Sequence, residues 1–213
     1  GPELKMAGFE AIIVKGKAKS PVYLWVNNGK AEIRDAGHLW GRDPDQVQEI
    51  VRQELGDKLI RVLQIGLGGE NKVRYAALSH EMRHYNGRCG MGAVMGSKNL
   101  KAIAVRGKGR YLDLANDPQK LAELGKTLAK KVKEHPLSWD LQVKGTPGLT
   151  EGINAAGMLP TYNFREGSFD GANRLSWGAY EKDLFKGRGS CYACAVFCKR
   201  EVSISACYDV GGK

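Results

Sequence analysis

The stretch GRCGMGAVMGSKNLKAIAVRG, residues 87–107, sets glycines at 87, 90, 92 and 96 ahead of KAIAVRG (101–107), whose branched residues read as a β-strand. Glycine reaches positive φ and lets a backbone approach a neighbour or ligand closely. Successive exposed N–H groups then form an anion-binding concavity, to which Arg88 or Lys98 would add charge. Two common phosphate motifs fail here. The dinucleotide fingerprint needs a third glycine where Met95 stands, and SHEMRHYN (79–86) ahead of it reads as no clear strand. The P-loop needs Gly-Lys-Ser/Thr, whereas Gly96-Ser97-Lys98 inverts that end. The bland alternative is a tight turn between packed elements.

Upstream of this block the chain reads as short strands and one helix. AIIVKG (11–16), PVYLWV (21–26) and AEIRD (31–35) are strand-like, and Asn27-Asn28-Gly29-Lys30 between the last two is a hairpin signal. Asp43 caps an expected helix, Pro44 fits its first turn, and Val47, Ile50, Val51 and Leu55 form its apolar stripe up to Gly56. KLIRVLQIG (58–66) and VRYAALSH (73–80) are further strands. Downstream, Asp117-Pro118 opens a long amphipathic helix to about Glu134, with Leu121, Leu124, Leu128 and Val132 on one face and lysines on the other. Residues 136–188 read as loops and short helices, with one helix near 148–156 and an aromatic-rich run, LPTYNFREGSF. The expected class is α+β: a β-rich part over 1–110 and a mostly helical part over 111–213, with the boundary near 108–116.

Composition excludes several classes. The 213 residues are 42% hydrophobic and 26% charged, ordinary for a globular chain. No apolar run approaches the roughly 18 residues of a membrane span, and no signal peptide is visible. The net charge of +10 fits a basic surface or a phosphate-receiving patch, and no nucleic-acid motif accompanies it. The chain is expected to be cytoplasmic and to engage neither membrane nor nucleic acid. It begins Gly1-Pro2 instead of with Met, so the true N-terminus is expected to be missing, with Gly1-Pro2 either a scar of tag removal or an internal start.

Five cysteines are too few for a disulfide scaffold of this length, and four of them fall between 191 and 207. In CYACAVFCKR, Cys191, Cys194 and Cys198 follow a C-x2-C-x3-C pattern. Two thiolates two residues apart on a turn can grip one metal or one cluster edge, and the third arrives about a helical turn later. A structural zinc site would add Cys207 as fourth ligand. A [4Fe–4S] cluster would take the first three and a distant fourth. A redox pair, Cys191 and Cys194, would need a βαβ context that is not visible. The order also differs from the C-x3-C-x2-C of radical enzymes that use S-adenosylmethionine.

Taken together, the chain resembles the aldehyde:ferredoxin oxidoreductase family of tungsten-pterin enzymes. The resemblance rests on GPELKMAGFEAIIVKGKAKSPVYLWV, AEIRDAGHLWGRD, GRCGMGAVMGSKNLKAIAVRG, KGTPGLTEGINAAGMLPTYNFREG and CYACAVFCKR, in the family's order and spacing over nearly the whole chain. It implies a β-rich domain under a bis-pterin site of tungsten (or molybdenum), with helical domains completing the pocket. Aldehydes would be oxidised to carboxylic acids, and electrons would leave through a [4Fe–4S] cluster to ferredoxin. His84, Tyr85, Asn86, Gly87 and Arg88 match the pterin-contacting segment, where the family often carries Arg-Ala-Ala-Gly-Arg. A backbone carbonyl contact there, such as one to a bridging Mg²⁺, would survive that change, whereas a side-chain contact of the family's arginine would not carry over to His84. Cys89 stands where glycine is usual and is read as a buried small residue. Cys191, Cys194 and Cys198 become three cluster ligands, flanked by Tyr192 and Phe197 as either shields or packing residues. The family's fourth cysteine, its further pterin segments, and its glutamate and histidine near the metal would lie beyond Lys213, and another pterin segment before Gly1. Cys207 is too early for the fourth ligand. The chain would then be an internal, inactive piece of a possible homo-oligomer. Two alternatives stay open: a family paralogue such as an aromatic acyl-CoA reductase subunit, and a zinc-stabilised binding module.

Overall fold

The computed structural model describes residues 1–203. It is an α+β structure of two compact units, Gly1–Pro118 and a second starting at Gln119. The first unit runs α1 (Pro2–Met6), β1 (Val22–Asn27), β2 (Lys30–Asp35), α2 (Pro44–Glu54), β3 (Arg61–Ile65), the single turn α3 (Leu67–Glu70), β4 (Leu78–His80), β5 (His84–Asn86), α4 (Met91–Ser97) and β6 (Leu100–Arg106). Its six-stranded sheet has the order β2-β1-β6-β3-β4-β5. β1 and β6 are parallel; all other pairs are antiparallel.

The central strands alternate between two covered faces. Tyr23, Trp25, Ala102, Ala104 and Val62 point into one core with Val47 and Val51 of α2. Burying each of those valines contributes about 1.5–3 kcal/mol. Met95 of α4 packs on Ile65, Leu78 and Leu100 in a second core, and Val26 and Val105 meet Ala7 behind α1 in a third. The β1–β2 hairpin turns at Asn28 (φ 45°) and Gly29 (φ 82°), the mirror-image turn that Asn-Gly favours. α2 starts and stops as its sequence implies, though Asp43 makes no side-chain cap hydrogen bond; Gly56 follows at φ +69°.

Three strand expectations change. AIIVKG forms no strand and pairs with neither outer strand of the sheet, β2 or β5. Ile13 is 82% exposed, and Ile12 alone of the pair packs against the third core. Only the last three residues of VRYAALSH are strand, since the backbone before them turns to take the Gly92 N–H on the Ala76 carbonyl at 2.9 Å. SHEMRHYN, conversely, is a hairpin: β4 and β5 pair through His80↔His84 and Ser79↔Tyr85 around left-handed Glu81 and Met82.

A buried ion pair was not legible in the sequence. The β1–β6 register shifts so that Val22 faces Leu100 and Tyr23 faces Ala102, leaving Lys101 as the extra residue of a bulge. Its fully buried side chain donates to the Glu70 carboxylate and to the Arg42 carbonyl at 2.9 Å. Glu70 also accepts from the Gly41 N–H at 2.9 Å.

The second unit runs α5 (Pro118–Glu134), α6 (Pro136–Lys144), α7 (Thr150–Ala155), α8 (Trp177–Asp183), β7 (Phe185–Gly189) and β8 (Lys199–Val202). The long helix and the one near 148–156 form as expected, but no residue of α5 is buried; Leu124 and Leu128 are about half exposed. Within LPTYNFREGSF, Tyr162, Asn163 and Phe164 are all left-handed, and Thr161 and Glu166 bridge across them. The β7–β8 hairpin is the one strand pair among the described residues of this unit. Among the described residues, no helix is long and apolar enough to cross a membrane.

Candidate functional site

The glycines of the 87–107 block prove to be mostly packing residues. A Cβ on Gly96 would lie 1.9 Å from the Gly69 carbonyl oxygen, and one on Gly92 2.6 Å from that of Ala77. Gly90 combines φ +62° with a 2.1 Å approach to the Arg74 carbonyl. These three let α4 lie directly on α3 and the turn before β4. Gly87 differs: nothing stands within 4 Å of its added Cβ. The open part of the block is thus the segment from β5 into α4.

That segment carries the five candidate contact residues. His84, Tyr85 and Asn86 form β5, the outer strand of the sheet, and Gly87 and Arg88 continue from it. His84 is half-buried; Tyr85, Asn86, Gly87 and Arg88 are exposed. An outer strand leaves backbone groups on its free side open to a ligand. Cys89 is also exposed, at φ 66°, which corrects the expectation of a buried thiol. The chain turns outward there, and Gly90, not Cys89, enters the packed interior.

The β4–β5 turn is anchored by Glu81. Its carboxylate accepts from Arg52 and Arg61, each at 2.8 Å, and from the Val62 N–H at 2.9 Å. Burial pushes this carboxyl upward, but the Val62 N–H and the two guanidinium groups outweigh it and hold it below the usual carboxylate range. The His80 imidazole is held below its ordinary value by burial. Its ring lies 5.8 Å from that of His84.

The cysteines occupy a different setting. Cys191, Cys194 and Cys198 all lie in the loop joining β7 to β8, with the last immediately before β8. Two left-handed residues, Ala193 (φ 50°) and Phe197 (φ 55°), each precede a cysteine, and the Cys194 N–H donates to the Cys191 carbonyl at 3.3 Å. All three are half-buried and none is in a disulfide. Tyr192 is 59% and Phe197 44% exposed, so neither is a core packing residue. Cys207 lies outside the described residues.

Arg200, two residues after Cys198, went unnoticed in the sequence. One guanidinium nitrogen donates to the Phe197 and Lys199 carbonyls at 3.0 and 2.8 Å. The other donates to the Leu141 and Gln142 carbonyls, in the last turn of α6, at 3.0 and 2.7 Å. A cation there suits the negative end of the helix, where the Leu141 carbonyl also accepts from the Gly145 N–H at 2.9 Å. The Gln142 side chain returns a bond to the Ala195 carbonyl at 3.3 Å.

As a donor set, three thiols in one short hairpin loop suit a soft metal or an iron–sulfur cluster. No group of three or more His, Cys, Asp or Glu side chains is gathered as a metal site among the described residues. The fit is therefore one of ligand type and spacing.

Comparison with known proteins adds the lineage. The family model for the N-terminal domain of aldehyde ferredoxin oxidoreductase matches residues 1–107, and that for its domains 2 and 3 matches residues 123–211. This chain belongs to the aldehyde ferredoxin oxidoreductase family. It is 42% identical over 201 residues to a tungsten-containing aldehyde ferredoxin oxidoreductase of Pyrococcus horikoshii, covering 94% of this chain and 33% of that protein. An aliphatic sulfonate oxidoreductase, WOR-like subunit, of Pyrococcus furiosus is 44% identical over 121 residues, 51% of this chain and 19% of that protein. Among solved structures, the active-site complex BamBC of benzoyl coenzyme A reductase with 1,5-dienoyl-CoA matches with a TM-score of 0.72 and 31% identity. That match covers 97% of this chain and 33% of the other. The chain thus spans about a third of the length of these full-length relatives.

Proposed function

We propose that this chain is part of an oxidoreductase that converts aldehydes to carboxylic acids at a tungsten (or molybdenum) bis-pterin centre and passes electrons through a [4Fe–4S] cluster to ferredoxin. The observation that carries this reading is the pairing of the family match along both units with three thiols on one hairpin loop. When bound, the pterin-held metal supplies two-electron oxidation and the cluster supplies one-electron transfer. The chain's own residues bind and orient. Residues 1–110 form a portion of the pterin-binding base, and 111–213 carry the cluster ligands. The exposed backbone of Tyr85, Asn86 and Gly87 offers the carbonyl and N–H groups for pterin or Mg²⁺, and Arg88 offers a cation for phosphate. Cys191, Cys194 and Cys198 hold three corners of the cluster, with a fourth ligand from elsewhere in the whole protein.

Metal analysis of the full-length protein tests this. About four irons per chain with tungsten or molybdenum is the expected result, and all iron lost on Cys191→Ser. Zinc without iron, lost equally on Cys207→Ser and Cys191→Ser, would instead establish the zinc-stabilised module. A second reading is favoured by the solved benzoyl coenzyme A reductase complex, whose likeness runs along almost the whole chain. Under it the substrate is an aromatic acyl-CoA. Turnover assays with aldehyde and with aromatic acyl-CoA separate the two.

A further inference from the structure

We infer that Arg200 is a positioning residue for the three thiols: its guanidinium holds the cysteine loop against the end of α6. This rests on reading that loop as the iron–sulfur site. The fork ties together two segments that also share the Gln142–Ala195 bond. It bonds two carbonyls of α6, Leu141 and Gln142, and two that bracket Cys198, Phe197 and Lys199. Its plane is held by rings, Trp177 of α8 at 5.5 Å and Phe185 of β7 at 5.9 Å. Four carbonyl bonds from a ring-held planar group require arginine, since lysine presents a point charge on a flexible stem. The remaining nitrogen, Nε, is buried with no hydrogen-bond partner among the described residues. It borders the same space as the Cys198 carbonyl. A Cβ added at Gly145 would lie 3.0 Å from Nε and 2.8 Å from that oxygen. The loop is therefore packed so tightly at Cys198 that a glycine is needed opposite it, and a displaced Arg200 releases both sides.

The test compares the chain with its Arg200→Lys and Arg200→Met variants. In metal-free protein, iodoacetamide alkylation of Cys191, Cys194 and Cys198 is followed by mass spectrometry, with exposed Cys89 of the first unit as internal control. Both variants should alkylate the three loop thiols about tenfold faster, the change expected for losing a charged hydrogen bond. Cys89 alkylation and hydrogen exchange in α7 should not change. Reconstituted anaerobically with ferric iron, sulfide and excess dithiothreitol, both should release iron faster to a chelator and, after reduction with dithionite, show an altered electron paramagnetic resonance line. Wild-type alkylation rates in both variants would overturn the inference, as would full rescue by lysine, which would make charge alone sufficient. Should Arg200→Lys fail to fold, Trp177→Leu removes one ring face and should show the same contrast, smaller in size; a wild-type rate there would overturn the inference. If the wild-type chain takes up no iron and sulfide, the cluster reading fails, while the alkylation contrast still decides the role of Arg200.

Discussion

The two units hold their candidate sites by different means. In the first, an apolar core on both faces of a sheet supports the outer strand β5 and the loop after it. In the second, the cysteine hairpin rests on polar and ring contacts around Arg200. Apart from Ala172, every buried hydrophobic residue among the described residues belongs to the first unit. A site carried by a packed sheet inherits its rigidity from burial spread over many side chains. One carried by a hairpin over a thin core depends on a few directional bonds, and gains more from a bound metal.

The largest expected effect tests the strength of the first unit at its one fully buried charge. Glu70→Gln leaves Lys101 without its counter-charge, and chemical denaturation should report a loss of about 3–5 kcal/mol. A loss below about 1 kcal/mol would mean the lysine finds another partner or water. Gly96→Ala forces a methyl group into the Gly69 carbonyl and should cost about 1–3 kcal/mol in the same experiment, or more if α4 cannot shift. Its counterpart in the second unit is Gly145→Ala, at φ +67° and against Cys198. It should cost about 1–3 kcal/mol and quicken alkylation of the loop thiols, leaving the first unit's melting unchanged. If it also lowers that melting, the two units are not separate in stability. Tyr23→Phe removes the 2.9 Å bond to Glu54 and should cost only about 0.5–1.5 kcal/mol, since the ring's burial is kept.

The smallest effect is a pH dependence in the first unit. His80 has a folded value held below the unfolded one by burial, so the unfolded chain binds the proton first. Stability should therefore begin to fall as the pH drops through the ordinary histidine range. Glu81, also held low, contributes fully above its unfolded value and loses that contribution at still lower pH. Hydrogen exchange in β4 and β5 between pH 7 and pH 4 should show protection decreasing with acid. His80→Gln should remove the upper part of that decline, and an unchanged profile would mean the imidazole is not the group responsible.

Much of this is legible in the sequence. The Asn28-Gly29 turn, the stripe of α2 and the long α5 follow from local rules, in which a few neighbouring residues decide the backbone. The C-x2-C-x3-C spacing is also local, and it marks Cys191, Cys194 and Cys198 wherever the loop lies. AIIVKG misleads because strand-like composition does not say whether the fold brings the segment alongside an open strand edge. Cys89 misleads because a small apolar residue beside Gly90 looks interior, although the left-handed backbone turns it outward.

What local pattern decides in this protein is element type and which side chains stand close in sequence: hairpin, helix, thiol triplet, glycine block. Only the folded chain decides which glycines pack and which stay open, because Gly92 and Gly96 are defined by carbonyls of Ala77 and Gly69 that the sequence holds well upstream. The same is true of Lys101, made interior by a bulge, and of Arg200, made central by helix carbonyls some sixty positions earlier (Leu141 and Gln142). Contacts at that separation are set by tertiary packing, since no short window of residues contains both partners.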